Sequence, residues 1–109
     1  MTPKIRIALL IDCDNVSYKS IGGVLEQLAK IGTVNIRHAH GDWKSQLLSG
    51  WVETLHPNAI RPIQQFAYTS GKNASDYAMI IDAMDLLYSG HVDAFAIMTS
   101  DSAFSPLVL

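Results

Sequence analysis

The stretch Ile5-Arg6-Ile7-Ala8-Leu9-Leu10-Ile11, running directly into Asp12-Cys13-Asp14-Asn15, decides the architecture. Seven mostly β-favouring, apolar residues closed by an acidic, turn-prone cluster read as a buried parallel strand. In an open α/β sheet, chemistry collects where strands run out at their carboxyl ends. Two carboxylates and an amide at that point mark a candidate active-site edge.

Outward from this strand the chain alternates. Lys4 to Ile11 is the first strand, and a helix follows from about Ser17 to Ile31, with Ile21, Val24, Leu25, Leu28 and Ile31 on one stripe and Gly32 as its stop. Thr33 to Ala39 reads as a second strand leading into His40-Gly41-Asp42-Trp43. A helix from about Lys44 to Leu55 carries Leu47, Leu48, Trp51, Val52 and Leu55 at helical spacing, and Pro57-Asn58 ends it. Ala59 to Gln64 is a weaker strand whose Pro62 points to a sheet edge. After the polar loop Tyr68-Thr69-Ser70-Gly71-Lys72-Asn73, a third helix spans Ser75 to about Tyr88, and Ala94-Phe95-Ala96-Ile97-Met98 is a fourth strand entering Thr99-Ser100-Asp101-Ser102. The β-α-β-α-β-α-β order implies a mostly parallel sheet with right-handed crossovers, a three-layer α/β/α arrangement.

A chain of 109 residues is one domain, 1–109, with enough length for a hydrophobic core. Its 49% hydrophobic and 17% charged residues are ordinary for a globular protein, and a net charge of −2 offers no overall attraction to a polyanion. Cys13 is the only cysteine, which excludes an internal disulfide and a cysteine-based metal site. The leading apolar strand is too short for a signal peptide and carries Arg6, and no apolar run reaches membrane-spanning length. A reducing cytoplasm is the expected location. Pro106-Leu107-Val108-Leu109 reads as the opening of a helix, so the expectation is a truncated domain lacking its C-terminal helix and strand.

In a doubly wound sheet the fourth strand returns beside the first, roughly 4.8 Å away. Asp12 and Asp101 then end neighbouring strands. At about 100° per residue, Asp76 shares a helical stripe with Met79, Ile80, Ala83 and Leu87, which places it above the same edge from the first turn of the third helix. Asp82 and Asp85 fall well off that stripe and read as more peripheral. Three converging carboxylates repel one another unless a cation is bound, and all-oxygen ligands suit Mg²⁺ or Mn²⁺, ions that polarise phosphates and activate water. Plainer readings stand beside this one: an Asx-turn at Asp12 and Asp14, a helix N-terminus at Asp76, a packed or half-exposed pair in preference to a metal site at His38 and His40, and core positions or a protein contact for Trp43 and Trp51.

Taken together, Ile11-Asp12-Cys13-Asp14-Asn15-Val16, the Gly41-Asp42-Trp43 turn, Gly71-Lys72-Asn73-Ala74-Ser75-Asp76, Ile81-Asp82-Ala83-Met84 and Thr99-Ser100-Asp101-Ser102-Ala103-Phe104 resemble the NYN domain, and within it the LabA-like (DUF88) branch of the PIN-like nuclease superfamily. The resemblance covers essentially the whole chain and implies a Rossmann-like fold with Mg²⁺- or Mn²⁺-dependent ribonuclease activity. It places catalytic and metal-holding acids at Asp12, Asp76 and Asp101, with Asp82 as a candidate outer member, and RNA contacts at Asn15, Lys72, Ser100 and Ser102. Ala103 departs from the pattern, which has an aspartate there, and a methyl group ligates nothing. An impaired enzyme, or a non-catalytic module binding RNA or protein, is the alternative this raises. A missing C-terminal strand would expose a sheet edge and invite a homodimer. Asp12-Cys13-Asp14-Asn15-Val16 also fits the Asp-x-Asp opening of haloacid-dehalogenase-like phosphatases, whose first aspartate is a nucleophile.

Overall fold

The computed structural model describes residues 4–65, 74–99 and 104–108, those at 74–77 and 104–108 by their place in a helix or strand. Five strands form one sheet: β1 (Ile5–Asp12), β2 (Gly32–Gly41), β3 (Arg61–Gln64), β4 (Ala94–Met98) and β5 (Phe104–Val108), in the order β3-β2-β1-β4-β5. The first four run parallel, and β5 returns antiparallel to β4. β1 sits at the centre and is buried from Ile7 onward, as its apolar run demands.

Two helices, α1 (Ile21–Ala29) and α2 (Ser49–Leu55), cover one face with Ile7, Leu9 and Ile11 beneath them. The third, α3 (Ala74–Ser89), covers the other, over Ala8 and Leu10. This is the expected three-layer α/β/α domain with a mostly parallel sheet. Burying apolar side chains on both faces of β1 is its main stabilisation, about 1.5–3 kcal/mol for each large side chain.

A break in the β1–β2 register decides which way β2 faces at the carboxyl edge. Ile7 pairs with Val34 but Ala8 pairs with Ile36, so Asn35 is an extra residue in β2. Across that bulge the pleat inverts. Val34 packs under α1 and α2, whereas Ile36 packs under α3. The Asn35 amide donates to the His91 carbonyl and ties the bulge to the segment entering β4. Nearby, Asp93 accepts from the Arg6 backbone N–H at 2.8 Å and from two guanidinium nitrogens at 3.1 and 3.0 Å, fixing β4 against β1.

Several boundaries differ from the sequence reading. Ser17 and Ser45 each cap a short 3₁₀ turn, so α1 and α2 begin later than periodicity suggests. Leu47 is 93% exposed as a result, and Ile31 is exposed because α1 ends before it, at Ala29. Gly32 opens β2 instead of stopping α1: an added Cβ would lie 2.3 Å from the Ile5 carbonyl oxygen. Ala59 is not in a strand but adopts φ 53°, closing α2 with Ile60 N–H donating to the Leu55 carbonyl and Ala59 N–H to that of His56. That is a Schellman cap with alanine where glycine is usual.

The tail around Pro106 is strand β5, not the start of a helix. Residues 99–103 alone separate β4 from β5, far fewer than the dozen or so a parallel crossover requires. The chain therefore doubles back and covers the β4 edge that the sequence reading left open. Among the described residues no helix is long and apolar enough to cross a membrane.

Candidate functional site at the carboxyl edge of the sheet

Asp12 is the last residue of β1 and pairs across the ladder with His40 of β2. Its backbone carbonyl takes the turn bonds from Asn15 and Val16 N–H, both at 3.2 Å. The carboxylate lies 3% exposed, with the Asn15 amide donating to Oδ2 at 2.8 Å. By alternation from Ala8 and Leu10, it lies on the α3 side of the sheet.

The neighbouring acids serve the rim. Asp14 accepts from the Asp42 N–H at 3.2 Å, so the second aspartate of the phosphatase-like pattern holds the β1 and β2 turns together. Asp42 accepts in turn from the Gln64 side chain at 3.0 Å, and Trp43 donates its indole N–H to the Ile63 carbonyl at 3.0 Å. The Gly41-Asp42-Trp43 turn thus fastens the ends of β1, β2 and β3 to one another. Trp51 is core, its indole N–H donating to the Val16 carbonyl at 2.9 Å. Cys13 is buried, and burial foremost, then the charges of Asp14 and Asp12, push its thiol pKa well upward. The thiol stays protonated and is no nucleophile.

Asp76 is the third residue of α3, in its first turn. Its side chain lies outside the described set, as do Lys72, Ser100, Asp101, Ser102 and Ala103. β4 runs beside β1 up to the Met98–Ile11 pair, so the chain enters that segment one residue from the register position of Asp12.

The largest difference from the sequence reading concerns Asp82. It is not peripheral. α3 buries Met79 and packs Ala83 and Leu86 against the sheet, while Ile80 and Leu87 are exposed, so the buried stripe is rotated from the expected one. Rotation brings Asp82 over β2, where its Oδ2 lies 2.8 Å from His38 Nδ1 and 2.7 Å from His40 Nε2. An ionised carboxylate only accepts, so both ring nitrogens donate to one oxygen. Burial pushes the Asp82 pKa up, but the hydrogen bonds from His38 and His40 outweigh it and hold the group well below the usual carboxylate range. These side chains also form a group whose donor atoms lie within 4.8 Å of one another, close enough to hold a metal ion. A pair of histidines two apart in a strand, beneath an acid-bearing helix, was the available signal. The bulge at Asn35 and the rotation of α3 hid its meaning.

A parallel sheet of order β3-β2-β1-β4, helices on both faces, and a buried aspartate at the carboxyl end of the central strand define a Rossmann-like α/β domain with a PIN-like layout. The chain belongs to the NYN domain family: the family model matches residues 6–109. NYN domains are nucleic-acid-acting members of the PIN-like nuclease superfamily and are generally dependent on divalent metal ions. No curated protein and no solved structure gives a match.

Proposed function

We propose that this chain is a LabA-like (DUF88) NYN domain that hydrolyses RNA phosphodiester bonds with Mg²⁺ or Mn²⁺, working in a reducing cytoplasm. The observation that carries the reading is Asp12: an acid 3% exposed at the carboxyl end of the central strand, oriented by the Asn15 amide. A carboxylate held out of water at a strand end is costly to keep charged, and a hard cation beside it offsets that cost.

Asp12, Asp76 and Asp101 would hold the ion, with Asp82 outside them, and an all-oxygen donor set fits Mg²⁺ or Mn²⁺. When bound, such an ion polarises the phosphate and makes water nucleophilic near neutral pH. The protein's own part is positional. Asn15 holds one Asp12 oxygen and so sets the plane of the carboxylate. In this reading Lys72 meets the backbone phosphate, and Ser100 and Ser102 contact RNA beside Asp101. A homodimer belongs to the same proposal, though not through the β4 edge, which β5 covers.

Incubating the protein with single-stranded and structured RNA, with Mn²⁺ or with EDTA, tests it. Asp12→Asn should reduce cleavage by at least two orders of magnitude, since losing several kcal/mol of charge stabilisation costs about tenfold per 1.36 kcal/mol. Cleavage that persists in Asp12→Asn would sink the proposal. A second reading rests on Ala103: the domain binds RNA or a protein partner with its chemistry impaired. Activity that appears only in Ala103→Asp would select that reading.

A further inference from the structure

We infer that His38, His40 and Asp82 form a separate site for a borderline transition metal of the Zn²⁺ class, distinct in donor chemistry from the all-oxygen cluster at Asp12. The inference stands whether or not the ribonuclease reading does.

The donor set is two imidazole nitrogens and one carboxylate. Zn²⁺ and its neighbours favour this combination, whereas Mg²⁺ and Ca²⁺ favour oxygen alone. Spacing agrees. Bonds of about 2.0–2.1 Å in a tetrahedral site place ligand atoms roughly 3.3 Å apart. The two nitrogens now lie 2.8 and 2.7 Å from Asp82 Oδ2, and all three donors fall within 4.8 Å of one another. An opening of about half an ångström converts two N–H···O contacts into two metal–nitrogen bonds and one metal–oxygen bond.

The donors sit on one strand and one helix, so the geometry is prepared in advance. His38 and His40 alternate on β2 between ladder partners Leu10 and Asp12, and Asp82 lies mid-helix in α3. His40 is 1% exposed, and its Nδ1 makes no hydrogen bond among the described residues. The tautomer of a histidine is set by the bond its other nitrogen makes, and here none of the described residues fixes it. Nε2 can change from N–H donor to bare ligand without breaking a bond to them at Nδ1.

Access is provided as well. A cavity of about 300 Å³ opens onto His40 and Asp82 and is bordered by Ile63, Ala78, Ile81 and Asp85. It has room for an ion with water in its fourth position, the arrangement that distinguishes open zinc sites from closed structural ones. Asp85, one helical turn from Asp82, adds negative charge at the entrance.

Co²⁺ titration of metal-stripped protein, followed by visible absorption, tests the site without RNA or activity. The expected result is one Co²⁺ per chain with the intense bands of a tetrahedral ion, displaced by Zn²⁺ but not by millimolar Mg²⁺. His38→Gln and Asp82→Asn should each weaken binding about tenfold or more, while Asp12→Asn leaves it unchanged. His38→Gln leaves the Asp82–His40 contact in place, so it serves if Asp82→Asn fails to fold. No binding by the wild type at 100 μM (roughly the micromolar-to-millimolar boundary of useful affinity), or loss in Asp12→Asn with retention in His38→Gln, overturns the inference. Failure here with Mn²⁺-dependent RNA cleavage intact removes only this site.

Discussion

Replacing Asp82 by alanine in metal-free protein should be among the most destabilising single changes outside the apolar core. Its oxygen receives N–H groups from both His38 and His40. A hydrogen bond to a charged acceptor is worth about 1.5–3 kcal/mol, and a buried donor left without a partner costs about 1–3 kcal/mol. The two histidines respond differently to the loss. His38, 15% exposed, can turn to water through the vacated space, whereas His40, at 1%, cannot. Removing Asp82 also relieves its own desolvation, which offsets part of the loss. The expected net cost is about 2–4 kcal/mol for Asp82→Ala, and about half that for Asp82→Asn, which keeps a neutral acceptor. Urea denaturation in EDTA reads both values, and a double-mutant cycle with His40→Phe isolates the pair. Should Asp82→Ala lose under about 0.5 kcal/mol, with coupling to His40 near zero, the hydrogen-bonded triad is not what holds α3 over β2.

Ala59→Gly should stabilise by roughly 0.5–1 kcal/mol in urea, because relieving a left-handed L-residue gains about 1–2 kcal/mol and glycine's unfolded-state freedom returns part of it; a net loss would contradict the Schellman geometry. Cys13 should resist iodoacetamide in native buffer and react fully in urea, since the thiol is 2% exposed and its pKa is raised by burial; rapid native labelling would count against its place in the core. The Arg6–Asp93 pair is surface-exposed, and hydrogen bonds from the Arg6 side chain and backbone lower the Asp93 pKa to about 2. A depressed carboxylate stabilises above its unfolded pKa, so the advantage of wild type over Asp93→Asn should be full above about pH 5, decline from about pH 4 toward pH 2, and shrink with salt. An advantage unchanged between pH 5 and pH 3 would argue that the pair contributes no charge-dependent stability.

The strand at Ile5–Asp12 was legible because both of its faces are apolar, and only a central parallel strand needs that. Pro62 likewise announced the edge position of β3, where its missing N–H costs no ladder bond on the outer side. The features that stayed hidden depend on one residue more or less. The extra Asn35 inverts the pleat of β2 between Val34 and Ile36, two even-numbered apolar residues that alternation alone assigns to one face. The 3₁₀ turns after Ser17 and Ser45 shift both helix starts, because a serine side chain captured the N–H two residues on. Pro106 suits the first turn of a helix by propensity, yet the short 99–103 connection allowed only an antiparallel return.

Asp82 shows why the acids divided as they did. A stripe computed at 100° per residue treats Met79, Ile80, Ala83 and Leu87 as equal claims on the core, but the sheet beneath α3 is not uniform. Ala8, Leu10 and Phe95 offer apolar contact on the β1–β4 side, while β2 presents His38 and His40. Two imidazole N–H groups under a helix require an acceptor, and α3 turns until Asp82 supplies it. Ile80 and Leu87 lose burial in that rotation, worth at most about 1.5–3 kcal/mol each if complete, against two charge-assisted bonds of about 1.5–3 kcal/mol each. The polar contact therefore competes on equal terms with the apolar stripe. The azimuth of α3 thus depends on His38 and His40.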